Sequence, residues 1–381
     1  MEIKQDVVEL YDRVLSAKAM LKHAKSAEER IALGNYLGNL YEAIKGVGGE
    51  DLYPTIKDVF GSDKNLKKFN KKRDILEDRL LRNFLDNKKY HKKLIGSILE
   101  EITGPLDKYS ITNFSKEEIL SKGEFEDIFN TFLSELKLEN EFYKYLKDIG
   151  IYPCEENEHN YRGYIIYNPT DTKSDIFITN FNYDVQSLFT LAHEVGHAYD
   201  FLKFDKDYDA YNKYFYQSFY GETVSKLFER LILNYLIKNN ILLGESKEEL
   251  LAMEFDNYTN MVFSYIISEF DDEILKKNKQ DKMSLQEIYS VIEDDFDENI
   301  VDILAERDSL GIQENYVYTY GDILSMFLKE RVLEDGFNDD MLLELFDRRG
   351  EIFTKEFLDK YKVNNKQYVK LYKKEMKLLE K

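Results

Sequence analysis

The run Thr190-Leu191-Ala192-His193-Glu194-Val195-Gly196-His197-Ala198-Tyr199-Asp200 sets two imidazoles four residues apart inside a segment of helical apolar spacing. Residues four apart on an α-helix lie one turn above each other on one face. His193 and His197 can therefore hold a single ion between them if this stretch is helical. Neutral imidazoles at that spacing suit zinc, and Glu194 then stands beside the open coordination position, where a general base for an activated water belongs. Only five histidines occur in 381 residues, so chance is a poor explanation of the pattern.

Catalytic zinc needs a third protein ligand. The next strongly patterned segment is Gly221-Glu222-Thr223-Val224-Ser225-Lys226-Leu227-Phe228-Glu229. Glu222 comes twenty-five positions after His197, enough for one helix to end and a second to return antiparallel. A carboxylate there leaves the site with net charge and one open position for water. Most glutamates on an acidic chain are solvated surface; the pairing with the histidines is what singles out Glu222. Glu229 falls two helical turns further on the same face, where it could hydrogen-bond a ligating imidazole.

Composition narrows the class. Hydrophobic residues make up 43% and charged residues 33%, as in a globular chain able to bury a large core. No apolar run reaches bilayer length, and the N-terminus Met1-Glu2-Ile3-Lys4-Gln5-Asp6 is too acidic for a secretory signal. Cys154, the single cysteine, excludes an internal disulfide framework; a cytoplasmic location is expected. A net charge of −20 disfavours nucleic acid and anionic membranes as partners. The local basic runs Lys67, Lys68, Lys71, Lys72, Arg73 and Lys88, Lys89, Lys92, Lys93 read as solvated helix faces.

Periodicity predicts a mainly α chain with a small β-sheet beside the metal helix. Residues 3–46 read as two amphipathic helices divided near Lys25-Ser26-Ala27, with Ser26 and Glu29 as a capping box for the second and Gly46–Gly49 ending it. Helical patterns follow over 65–101, and over 116–149 with a break near Gly123. After an aromatic-rich stretch from Tyr208 to Tyr220, helices are expected from Glu222 to Asn239 and over 248–276, 284–295, 320–333, 355–361 and 366–379. The four prolines, at 54, 105, 153 and 169, all fall in expected connections. Residues 1–150 form an expected N-terminal helical region and 151–381 a catalytic region, joined as one unit around a cleft.

Between them lies the β-rich exception. Gly163–Tyr167 and Asp175–Asn180 are rich in β-branched and aromatic residues and are joined by Asn168-Pro169-Thr170-Asp171 turn chemistry. Such a pair is either a structural hairpin packed on the metal helix or a sheet whose edge adds an extended peptide as another strand.

The motifs resemble those of the thimet oligopeptidase and oligoendopeptidase F zinc peptidases. Thr190, Leu191, His193, Glu194, Gly196 and His197 match that family's Thr-Leu-x-His-Glu-x-Gly-His, and Glu222, Ser225 and Glu229 match its Glu-x-x-Ser-x-x-x-Glu. Tyr316-Val317-Tyr318-Thr319-Tyr320 resembles its tyrosine-rich block opposite the metal. The likeness spans about residues 160–335. It implies a helical zinc-peptidase fold with one zinc per chain, held by His193, His197 and Glu222. It also implies a substrate peptide lined by the strand Ile176, Phe177, Ile178, Thr179 and Asn180. Glu194 is then the general base of a metalloendopeptidase acting on oligopeptides, and Tyr320 takes the place of the tyrosine whose hydroxyl bonds the oxyanion, with Tyr316 or Tyr318 as substitutes.

Departures from the family pattern are specific. Leu310 stands where a histidine is usual, Ile312-Gln313-Glu314 where a further tyrosine is, and Ser187 where aspartate is common. The motif also arrives early, which shortens the helical half that forms a channel wall in the family and implies a more open cleft. The same scaffold admits a carboxypeptidase or a dedicated processing peptidase. A non-catalytic helical binding protein clamped by zinc is the third reading; it has no use for Glu194.

Overall fold

The computed structural model describes residues 8–24, 27–49, 63–64, 67–68, 71, 87–106, 119–138, 140–154, 162–168, 174–203, 210–277, 311–337 and 355–380. The expected Ser26 capping box, the helix at 284–295, Leu310 and most of the 65–86 segment lie outside them. The chain is mainly helical with one small sheet. No helix among the described residues is long and apolar enough to cross a membrane.

Helices α1 (Val8–His23) and α2 (Ala27–Gly46) form an antiparallel pair. Leu10, Val14, Ala17 and Leu21 recur at helical spacing on α1 and meet Leu33, Leu37, Leu40 and Ile44 of α2. The α3 helix spans Lys88–Leu106, α4 Lys122–Glu135 and α5 Asn140–Asp148. The break expected near Gly123 is there: residues 119–121 are not helical, and α4 opens at Lys122 with Gly123 in its first turn. Ser121 caps that helix, its hydroxyl accepting from the Glu124 N–H while the Glu124 carboxylate accepts from the Ser121 N–H at 2.9 Å. A second break comes at Lys137, whose φ of 52° turns the chain between α4 and α5.

Strands β1 (Gly150–Cys154), β2 (Gly163–Tyr167) and β3 (Ser174–Thr179) build a sheet of order β1-β3-β2. The sequence reading missed β1, because Pro153 marked it as a connection. Pro153 pairs opposite Ile178 on an outer strand, where a missing N–H can face away from the ladder. Pro105, likewise expected in a connection, closes the last turn of α3.

β3 is buried along its whole length because both faces are covered. Ile176 and Ile178 point into the main core, while Phe177 stacks between Tyr152 and Tyr164 under the α1–α2 pair, with ring centroids 5.1 and 5.0 Å apart. Arg13 of α1 ties this layer down through an ion pair to buried Asp175.

The remaining helices are α6 (Val185–Lys203), α7 (Ala210–Lys238), α8 (Leu243–Lys277), α9 (Gly311–Asp335), α10 (Lys355–Lys360) and α11 (Asn365–Met376). The aromatic-rich stretch is helical from Ala210 onward, so α7 begins well before the expected start at Glu222. It packs against both α6 and α9. α6 meets the sheet on its other side, and α3 packs on α8 and α11, so elements from both halves of the chain share the main core.

Candidate metal centre

Two glycines let three helices converge on one turn of α7. A methyl group at Gly196 of α6 would lie 2.6 Å from the Ser225 Cα, and one at Gly321 of α9 would lie 3.1 Å from the Glu222 Cβ. With no side chains in the way, α6 and α9 both approach the α7 backbone closely, α6 at Ser225 and α9 at Glu222.

The donor atoms face each other at that crossing. His193 Nε2 and His197 Nε2 are 3.0 Å apart; Glu222 Oε2 is 3.8 Å from the first and Oε1 is 3.8 Å from the second. One donor from each of the three residues lies within 4.8 Å of the others. Ligands about 2.0–2.1 Å from a tetrahedral zinc stand about 3.3 Å from one another, so these separations need only small adjustments to share one ion. Their side chains are 20%, 16% and 14% exposed, sheltered but reachable from solvent.

Glu229 fixes one of the rings. Its Oε1 lies 2.5 Å from His193 Nδ1, which leaves Nε2 as the nitrogen turned toward Glu222. Burial opposes the charged form of His193, but the charge and hydrogen bond of Glu229, with Glu222 and Glu194 beyond, lift its pKa to about 9. Burial and the neighbouring His193 push His197 the other way, down into the neutral form. Burial also raises Glu229, yet Lys226 and His193 outweigh it and hold the carboxylate at about 2. Lys226 Nζ sits 3.8 Å from Glu229 Oε2 and donates to Asn257 Oδ1 at 3.1 Å.

Glu194 is 3% exposed, and its Oε2 is buried with no protein partner. Burial raises its pKa to about 7, against the attraction of His193 and with Glu222 adding to the rise. Gly163 of β2 crosses directly over it: a methyl group there would stand 3.0 Å from Glu194 Oε1 and 2.7 Å from Thr190 Cγ2. The strand therefore reaches the carboxylate only because position 163 lacks a side chain.

Two expectations about substrate-facing groups change. Ile176, Phe177, Ile178 and Thr179 form the central strand, paired with β1 on one side and β2 on the other, so they have no free edge for an added peptide; Asn180 lies just beyond, at φ 50°. The outer strand packed on α6 is β2. Tyr320 is fully buried, and its hydroxyl is paired with His91 Nδ1. Tyr318, 37% exposed, stands on the side of α9 toward the cluster, with Lys226 Nζ 5.9 Å from its ring centre. Tyr316 lies one turn before Tyr320 on α9, its side chain outside the described ones.

Sequence reasoning missed the charges behind the site. Arg230 is fully buried and donates to Glu254 at 2.7 Å, to Glu375 and Ser325, and to Asp322, joining α7, α8, α9 and α11. Lys329 pairs with Glu375 at 2.8 Å, and the Tyr368 hydroxyl donates to Asp322. The signal was present: Lys226 and Arg230 follow Glu222 by one and two turns on the face that carries the site. Gly163 left no such signal, because only the folded chain shows what passes above it.

No family model, no curated protein and no solved structure matches the chain.

Proposed function

We propose that the protein is a zinc-dependent metallopeptidase of the helical kind its motifs resemble, hydrolysing peptide bonds inside the cell's reducing compartment. The observation that carries this reading is the three-sided donor set of His193, His197 and Glu222 beside a buried carboxylate oxygen without a protein partner. The donors are two imidazole nitrogens and one carboxylate, the chemistry zinc takes in catalytic sites. Zinc bound there supplies Lewis acidity, lowering the pKa of a water and polarising the scissile carbonyl.

Each of the chain's own groups then has a task. Glu194, poised near 7, takes a proton from the attacking water and returns it to the leaving amine. Glu229 keeps the Nδ1 proton on His193 and so holds that ring's orientation. The outer edge of β2 can pair with an extended substrate backbone, bringing a peptide bond past Gly163 toward Glu194. We assign the phenolic donor for the oxyanion to Tyr318, since the Tyr320 hydroxyl is occupied by His91.

A carboxypeptidase would use the same groups but release single residues from one end, which product mass spectrometry distinguishes. A purely structural zinc site has no need of a buried carboxylate left without a partner. The direct test is metal reconstitution. Chelator-treated protein should lose cleavage of a quenched peptide and regain it with one equivalent of zinc; unchanged cleavage after verified zinc removal would refute the reading.

A further inference from the structure

A cavity of about 990 Å³ lies between α9 and α11 and shares no lining residue with the His193, His197 and Glu222 group. Its floor is apolar: Leu324, Leu328, Val363 and Leu371 are buried and Phe327 and Tyr361 half-buried. One rim is basic. Lys362, Lys366, Lys370, Lys373, Lys374 and Lys377 line it, all exposed, on a chain whose net charge is −20. Lys373 is tied to Glu101 and Lys374 to Glu330, but Lys362, Lys366, Lys370 and Lys377 have no carboxylate partner among the described residues. An acidic protein that gathers unpaired lysines beside an open apolar trough concentrates cationic potential there.

The spacing narrows the occupant. Lys366 to Lys377 covers about 16 Å along a helix at 1.5 Å per residue, with a lysine at almost every turn. A single-headed anion would engage one or two of these charges. A helical segment with carboxylates one turn apart would engage the row while its apolar face covers the floor. The apolar floor is the wrong complement for a polyphosphate backbone, which presents charge without a hydrophobic face. We propose that the α9–α11 groove is a docking site for an acidic amphipathic helix of a partner protein, its carboxylates on the α11 lysines and its apolar side chains over Leu324, Phe327 and Leu328.

Fluorescence anisotropy on the full chain tests this. The probe is a fluorescein-labelled 18-residue peptide with Glu four residues apart along one face and Leu along the next; α-aminoisobutyrate elsewhere keeps it helical and resistant to cleavage. Saturable binding is expected at low salt and should weaken as salt rises, because the lysines are exposed. Lys366→Glu/Lys370→Glu/Lys377→Glu should weaken it at least tenfold, as should replacing the peptide's Leu by Ser with its charges intact. Circular dichroism checks the fold of the triple variant, and Lys366→Gln/Lys370→Gln gives the same reading should the reversal not fold. Equal binding by either lysine variant, or by the Ser peptide, would overturn the proposal. So would lysine-dependent sedimentation with phosphatidylserine vesicles while the peptide fails to bind.

Discussion

The His193 imidazole is held from behind by Glu229, 2.5 Å from its Nδ1, so the nitrogen that faces Glu222 is chosen by a residue on the neighbouring helix. Removing the charge should be felt at the metal. Glu229→Gln should weaken zinc binding about 10–100-fold, read by competition with a colorimetric chelator, because an outer partner that orients a ligating imidazole contributes on that scale. Unchanged affinity would mean that the ring holds its orientation without it.

The same pair sets a pH dependence. With His193 raised to about 9, the chelator-treated protein keeps that ring protonated through neutral pH, and a ligand must be neutral before it binds. Zinc binding should therefore expel a proton, and apparent affinity should rise about tenfold per pH unit from pH 6 to 8, flattening near 9. His197, already neutral, adds nothing to the slope. Glu194, at about 7, adds a smaller release as the cation draws its pKa down. Calorimetry in two buffers of different ionisation enthalpy counts the protons; none released would contradict the account.

Gly163→Ala should spare the metal and harm the reaction. The added methyl meets Thr190 Cγ2 at 2.7 Å and Glu194 Oε1 at 3.0 Å, so the carboxylate must move while the three donors stay. Turnover should fall about 10- to 100-fold with zinc content unchanged, the scale set by a misplaced reacting group. Equal turnover would show that β2 does not constrain Glu194.

The two tyrosines should separate. Tyr320→Phe leaves His91 Nδ1 without its buried hydroxyl and should cost about 1–3 kcal/mol in denaturant unfolding, with turnover near wild type. Tyr318→Phe should leave stability alone and lower kcat about 10²–10³-fold, the usual cost of losing an oxyanion donor. The opposite pattern would return the role to Tyr320.

Much of this architecture was legible because it depends on local spacing. Helix α6 follows from the apolar period around His193 and His197, and the α1–α2 division near residue 25 follows from a lapse in the pattern. The convergence of Glu222 and Glu229 on the histidines was readable because one helix face carries both. What escaped depends on partners distant in sequence. Pro153 reads as a strand breaker until β3 is seen to pair on its other side, and Tyr320 reads as a free phenol until His91, from a helix more than two hundred residues earlier, is seen to reach it. Arg230, two turns after Glu222 on the same face, was visible, but the acids that neutralise it lie on three other helices.

Glu194→Gln tests the central claim most directly, because it removes the base while leaving every metal donor in place. Zinc content and hydrolysis of a quenched peptide should be measured on the same samples of wild type and variant. One zinc per chain in both, with turnover lost only in the variant, is the predicted result. Wild-type protein without zinc, or a variant that still turns over the peptide, would contradict it.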